Sequence, residues 1–185
     1  TLIFQSAGKK KPPTATISES GQYTNIDVLE DHKLIINLAN NDILIKANQL
    51  NVSGDGSIVI NRTGTGKLVL YVSDTFILAN GCTINNNGDY NALTMYYSGT
   101  NPINVGDNTK YVGSIYAKNA NITTANSGGI IGHIVTGGSK VNVTGDASAN
   151  VRAIYAPLAS LTVANSGKIR GAVVANDILV DGNGR

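Results

Sequence analysis

The segment Thr63-Gly64-Thr65-Gly66-Lys67-Leu68 comes nearest in this chain to a phosphate-binding loop, in which backbone N–H groups and a lysine surround an oxyanion. It misses both ends of that motif. Asn61 stands where the first glycine belongs, and Leu68 replaces the hydroxyl residue that would reach a metal, so a glycine-rich turn between strands is the simpler reading. His32 and His133 are the two histidines, and neither has a second ligand at a readable spacing, whereas zinc needs three or four. Alternation places His133 outward beside Arg152 and Ser114, and both histidines are expected to be solvent-exposed spectators. Cys82 is alone, which excludes an intrachain disulfide and reads as a small buried hydrophobe. No cofactor and no metal site is expected.

Polysaccharide-cleaving chemistry would need at least two carboxylates facing one bond. The acids here are scattered singly in turns, at Asp55, Asp89, Asp107, Asp146, Asp177 and Asp181. A turn aspartate is explained by its bond to nearby backbone and its tolerance of left-handed conformations; two or three such groups could also hold calcium at a coil edge. Four Asn-x-Ser/Thr triplets begin at Asn51, Asn61, Asn121 and Asn142, about the three to four that this composition gives by chance, so they say nothing of glycosylation. Thr14/Thr16 and Thr63/Thr65 do not recur coil after coil as an ice-binding file would. That leaves Tyr116 and Tyr155, with Val135 and Val174 on the same outward parity. Two tyrosines about 9.6 Å apart with a valine between them could form a contact stripe for a partner strand or a sugar, or lie beneath a neighbouring loop.

What would position such a stripe is a repeat. Ser114-Ile115-Tyr116-Ala117 recurs as Ala153-Ile154-Tyr155-Ala156, and Ala125-Asn126-Ser127-Gly128 recurs as Ala164-Asn165-Ser166-Gly167. Weaker copies fall halfway between. Ile115, Ile134, Ile154 and Val173 therefore form one file, and Ile122, Val141, Leu161 and Ile178 a second, with Thr124, Val143, Val163 and Val180 beside it. Ile130, Ala149 and Ile169 form a third. Within each unit apolar and polar residues alternate at period two, and Gly/Asn turns separate the short strands. One such coil cannot bury its inward face, but stacked coils about 4.8 Å apart create a continuous core.

The fold class that follows is all-β, a single-stranded parallel β-helix, with right-handed winding favoured because the units are not hexapeptides. Coils of 19–20 residues are regular from Tyr111 onward. Before that the strands at 34–36, 43–45, 50–52, 58–60 and 67–72 imply longer coils, with an extra loop at 85–89. Residues 1–20, with Lys9 to Lys11 and Pro12-Pro13, read as a linker or capping extension before a β-helix domain at 21–185.

Composition agrees. Asn, Gly, Ser and Thr are abundant, with 23 Asn and 21 Gly in 185 residues, which disfavours long helices, while 42% hydrophobic residues argue against disorder. Net charge is +2, and three of the 14 basic residues are Lys9, Lys10 and Lys11, so no basic face is available for nucleic acid. No apolar run approaches the length of a membrane span.

The stretches Lys67–Val72, Leu93–Gly99 and Gly113–Ala120 together resemble a β-helical domain of uncharacterised function found in bacterial surface proteins, many of them minor-pilin-like components associated with type IV pili. That family's pattern is Gly-x-Ile-Tyr-Ala-Pro-Asn-Ala followed by a strand, Gly-Asn, Gly-x-Val-Val and another strand. Here Lys118 stands where proline is usual while Asn119-Ala120 fits; in the second copy Pro157 is present and Leu158 replaces asparagine. The resemblance covers roughly residues 30–185 and implies no catalytic residues. It implies a non-catalytic, extracellular structural or adhesive module on a bacterial surface or pilus, meeting other pilus or surface subunits, or glycans of a host or the environment. Ladders of short coils are also similar to the bactofilin-like cytoskeletal polymers, which leaves a filament subunit stacking through its coil ends as an alternative. A carbohydrate-binding or carbohydrate-active β-helix is the third.

Overall fold

The computed structural model describes residues 2, 4, 13–79, 81–145 and 151–185. The Lys9–Lys11 run, Asp146 and Ala149 lie outside them. Parallel strands wind as a β-solenoid of about eight coils, with three faces around one core.

The third face is built from β1 (Thr14–Ile17), β3 (Lys33–Leu38), β5 (Ser57–Arg62), β7 (Thr83–Ile84) and β10 (Lys110–Val112), then the first half of β13 (Gly129–Thr136). The first and second faces share the long strands β2 (Gly21–Leu29), β4 (Ile43–Ser53) and β6 (Leu68–Leu78), which bend at a corner. Further along, the first face continues through β8 (Leu93–Tyr97), β11 (Ser114–Ala117) and the second half of β13. The second continues through β9 (Ile103–Val105), β12 (Ile122–Thr124) and β14 (Lys140–Thr144). Finally β15 (Val151–Ala164) and β16 (Ile169–Val180) each run from the corner opposite Gly132 along the first face and on to the second.

These segments become strands because β-branched residues alternate with polar ones, and every inward position finds an equivalent one coil away. On the first face one inward column runs Ile45, Leu70, Met95, Ile115, Ile134, Ile154, Val173, each paired with the next. On the second, Ile122, Val141, Leu161 and Ile178 pair in sequence, as do Thr124, Val143, Val163 and Val180. Both files read from the sequence are thus physical columns. Their burial depends on neighbours: Leu161 and Val163 are 0% and 3% exposed, whereas Ile178 and Val180, in the same columns one coil later, are 55% and 56% exposed.

The third file is corrected. Ile169 pairs with Val151, because the register shifts twice: Arg152 is an extra residue opposite the step from Gly132 to His133, and between Ile169 and Ala172 β16 carries one residue more than β15 does between Val151 and Ala153. The winding also begins at Thr14, inside the segment read as linker or cap: β1 pairs along its whole length with β3, and Leu2 and Phe4 pack against the core. Coil length changes partway. Side chains one coil apart are 24–25 residues apart near Asn37–Asn61 and Asp42–Lys67, but 19–20 apart near Asn121–Lys140 and Thr124–Thr144. Phe76, Tyr97 and Tyr111 fill the core where the coils shorten, with Phe76 meeting the other two rings at 6.2 and 6.4 Å. The Tyr97 hydroxyl donates to the Asp74 carbonyl at 3.1 Å and the Tyr111 hydroxyl to the Ser114 carbonyl at 3.4 Å, so neither buried phenol is orphaned.

Candidate functional site

Period-two alternation fixes what each face shows outward. On the second face the outward column reads Asn104, Thr123, Asn142, Thr162 and then Leu179, a surface that is polar until its last rung. On the first face it reads Gln22, Lys46, Tyr71, Tyr96, Tyr116, Val135, Tyr155, Val174. The file expected from the sequence, Tyr116, Val135, Tyr155 and Val174, is therefore one continuous column, and it is not covered by a loop: Tyr116 is 37% and Tyr155 53% exposed. Two more tyrosines extend it, Tyr71 and Tyr96, at 42% and 39% exposure. Alignment by a 19-residue step misses them because the coils before Met95 are longer; outward parity within Leu68–Tyr71 and Leu93–Tyr96 is the signal that finds them.

The three rings form a stack. Tyr71 and Tyr96 lie 4.9 Å apart between centroids with planes 15° apart, and Tyr96 and Tyr116 lie 5.2 Å apart at 28°. The strand spacing imposes that distance, so the ring faces cover one another and the edges and hydroxyls point to solvent. Two residues on from each tyrosine stand Ser73, Ser98 and Lys118, and together they line a shallow groove of about 460 Å³. Ser98 Oγ donates to the Ser73 carbonyl, tying those rungs together at 3.1 Å. One face of a polar solenoid is thus an apolar, aromatic strip flanked by hydroxyls and a lysine.

The other candidates are occupied structurally. The Thr63–Leu68 segment is a turn whose carbonyls are capped by Arg62, with Nε donating to the Gly66 carbonyl at 2.9 Å and Nη2 to that of Thr65 at 2.8 Å. Arg62 Nη1 also pairs with Asp89 at 2.9 Å, the one ion pair among the described residues. Asp89 in addition accepts the Asn91 N–H at 2.9 Å, Asp107 accepts from Asn126 at 2.8 Å with a backbone φ of 49°, and Asp181 accepts the Gly182 N–H at 2.7 Å. Asp177 accepts Ser160 Oγ at 2.6 Å. Asp181 serves its own turn, Asp107 and Asp177 tie their turns to the neighbouring coil, and Asp89 does both; among the described residues no three His, Cys, Asp or Glu side chains converge as a metal site would need.

Neither histidine is the exposed spectator expected. His32 is half-buried and stacks on Phe4 at 4.8 Å. His133 is half-buried because the inserted loop carries a 3₁₀ turn, Tyr90–Ala92, against β13, and the Tyr90 ring meets it edge-on at 5.7 Å. Arg152, bulged out of β15, lies 5.6 Å over the Tyr90 ring, while Ser114, on the same parity as Tyr116, is buried. Cys82 is fully buried, and burial raises its thiol pKa, against smaller lowering by hydrogen bonds from the Ala79 backbone and Thr109.

Residues 5–152, well over half of the chain, match a family described as a domain of unknown function, DUF7305. No curated protein and no solved structure matches.

Proposed function

We propose, for a chain that belongs to the DUF7305 family and winds as a β-solenoid, that it is a non-catalytic structural and adhesive module of a bacterial surface or pilus-associated protein, making contact through its tyrosine face. The observation behind this reading is the contrast between faces of one molecule: Asn104, Thr123, Asn142 and Thr162 on the second, Tyr71, Tyr96, Tyr116 and Tyr155 on the first. Nothing in the winding needs outward tyrosines, since the Asn/Thr face folds in the same register without them. An exposed apolar strip from Tyr71 to Val174, about 24 Å long over five strand spacings, is the kind of patch that partners cover. The surface or pilus setting rests on the resemblance of Gly113–Ala120 and its copies to the pilus-associated β-helical domain.

Antibodies raised against the folded domain test the setting. Labelling of intact source cells, abolished by protease shaving, is the expected result; labelling only after permeabilisation overturns it. The filament reading draws on β16, where Ile178, Leu179 and Val180 are each more than half exposed. Against two-ended stacking, Leu2 and Phe4 pack against the core. Sedimentation between low and high micromolar concentration separates the readings, since a filament subunit grows with concentration and an adhesive monomer does not.

A further inference from the structure

The stack of aromatic rings ends at Tyr71, which is 42% exposed. Tyr96 covers one side, and the partner of Tyr71 in the preceding coil is Lys46, which is not aromatic. A pocket of about 500 Å³ opens there, lined by the Tyr71 ring with Lys46, Gln22, Asn48, Ser73 and Leu44, a volume within the range of about 300–1,000 Å³ typical of small-molecule sites. Ser73 Oγ donates to Asn48 Oδ1 at 3.3 Å, which leaves the Asn48 amide N–H groups directed elsewhere. An open aromatic face attracts either a cation or the C–H face of a sugar ring. Lys46 decides between them: it repels cations, it is exposed, and it makes no ion pair among the described residues. Gln22 and Asn48 supply the amide donors and acceptors that sugar hydroxyls require.

We infer that this pocket is a binding site for an acidic sugar, a uronic acid residue of a glycan chain, stacked on Tyr71 with its carboxylate toward Lys46 and its hydroxyls toward Gln22 and Asn48. The inference rests on the reading of the first face as the contact face and names what meets one end of it. Because the pocket is shallow and holds one lysine, binding is weak, salt-dependent and improved by repetition along a polymer.

Isothermal titration of the full chain with tetragalacturonate and with a hyaluronan tetrasaccharide tests this, with the methyl ester of tetragalacturonate as neutral control. Binding of at least one acidic probe is expected, about tenfold weaker for the ester, a loss equivalent to one charge-assisted contact. Tyr71→Ala is expected to weaken binding at least about tenfold, Tyr71→Phe to preserve it, and Lys46→Gln to remove the preference for acid over ester. Asn142→Ala, on the second face, leaves it unchanged. No heat from either acidic probe at about 10 mM, where even a millimolar site fills, overturns the inference, as does equal binding by Tyr71→Ala. Those results would leave the adhesive reading standing if Tyr96 and Tyr116 variants still lose adherence; loss of sugar binding and of adherence together by Tyr71→Ala places both on one site.

Discussion

Ile134 and Val135 are adjacent in one strand and face opposite ways, which allows burial to be separated from strand propensity. Ile134 is 0% exposed between Ile115 and Ile154 in the inward column, and Val135 is half-buried between Tyr116 and Tyr155 in the outward one. Replacing either by alanine removes a β-branched residue, costing up to about 1 kcal/mol of strand preference at most. Ile134→Ala also removes about three carbon groups from a core that cannot collapse around the gap, because the rungs above and below are held by backbone pairing at fixed spacing. Buried truncations of that kind cost about 2–5 kcal/mol, and about 3 is expected here. Val135→Ala loses two methyl groups that are only partly shielded, about 1 kcal/mol in all. For a chain of this size each kcal/mol shifts Tm by about 2–4 °C, so Ile134→Ala should fall by about 6–12 °C and Val135→Ala by less than about 4 °C. Far-ultraviolet circular dichroism during heating and during urea titration reads both. Equal losses would refute the assignment of these two residues to opposite sides of the sheet.

Gly132, at φ 146°, turns β13 from the third face to the first, and an added Cβ would lie 2.0 Å from the Gly113 carbonyl oxygen; Gly132→Ala should cost more than about 3 kcal/mol in urea unfolding, or prevent folding. Gly182→Ala should cost only about 1–2 kcal/mol, since its φ of 57° is left-handed but the nearest atom is 3.9 Å away. Asn85 is buried, has φ 55°, and donates to the Asp89 and Val112 carbonyls at 3.0 Å each, so Asn85→Ala should destabilise by about 2–4 kcal/mol and loosen the inserted loop, read as faster amide exchange at 86–92. Burial raises the Cys82 thiol above its ordinary 9.0 and pushes the Tyr111 phenol far above its ordinary 10.0. The unfolded chain releases these protons first as pH rises, so their contribution is intact below pH 9 and is lost progressively above it; the urea midpoint should drop from pH 8 to pH 11, less steeply in Tyr111→Phe. An unchanged slope in that variant would exclude Tyr111 as a source.

How much of this was legible in the sequence follows from what kept constant period. Ile115, Ile134, Ile154 and Val173 could be aligned by counting because their coils differ by a single residue, and the columns they form are those of the folded chain. Ile169 was misplaced because β16 carries one residue more than β15 at Arg170-Gly171, opposite Arg152, and nothing local in that segment announces it. Tyr71 and Tyr96 escaped for the related reason that coil length changes between the two halves. Outward parity placed Tyr116 and Tyr155 correctly, but it also predicted free histidines. The packing of Tyr90 on His133, and of Phe4 on His32, joins segments far apart in the chain, and alternation within a strand contains no information about such cover.

The claim that contact is made by the tyrosine face is tested most directly by adherence of source cells carrying charge on one face or another. Cells with Tyr96→Lys and Tyr116→Lys should fall to the level of a strain lacking the gene, while Thr123→Lys with Asn142→Lys, equal in charge and number but on the second face, should adhere as the parent does, both proteins being displayed in equal amount. Equal adherence by the two double variants would contradict the account.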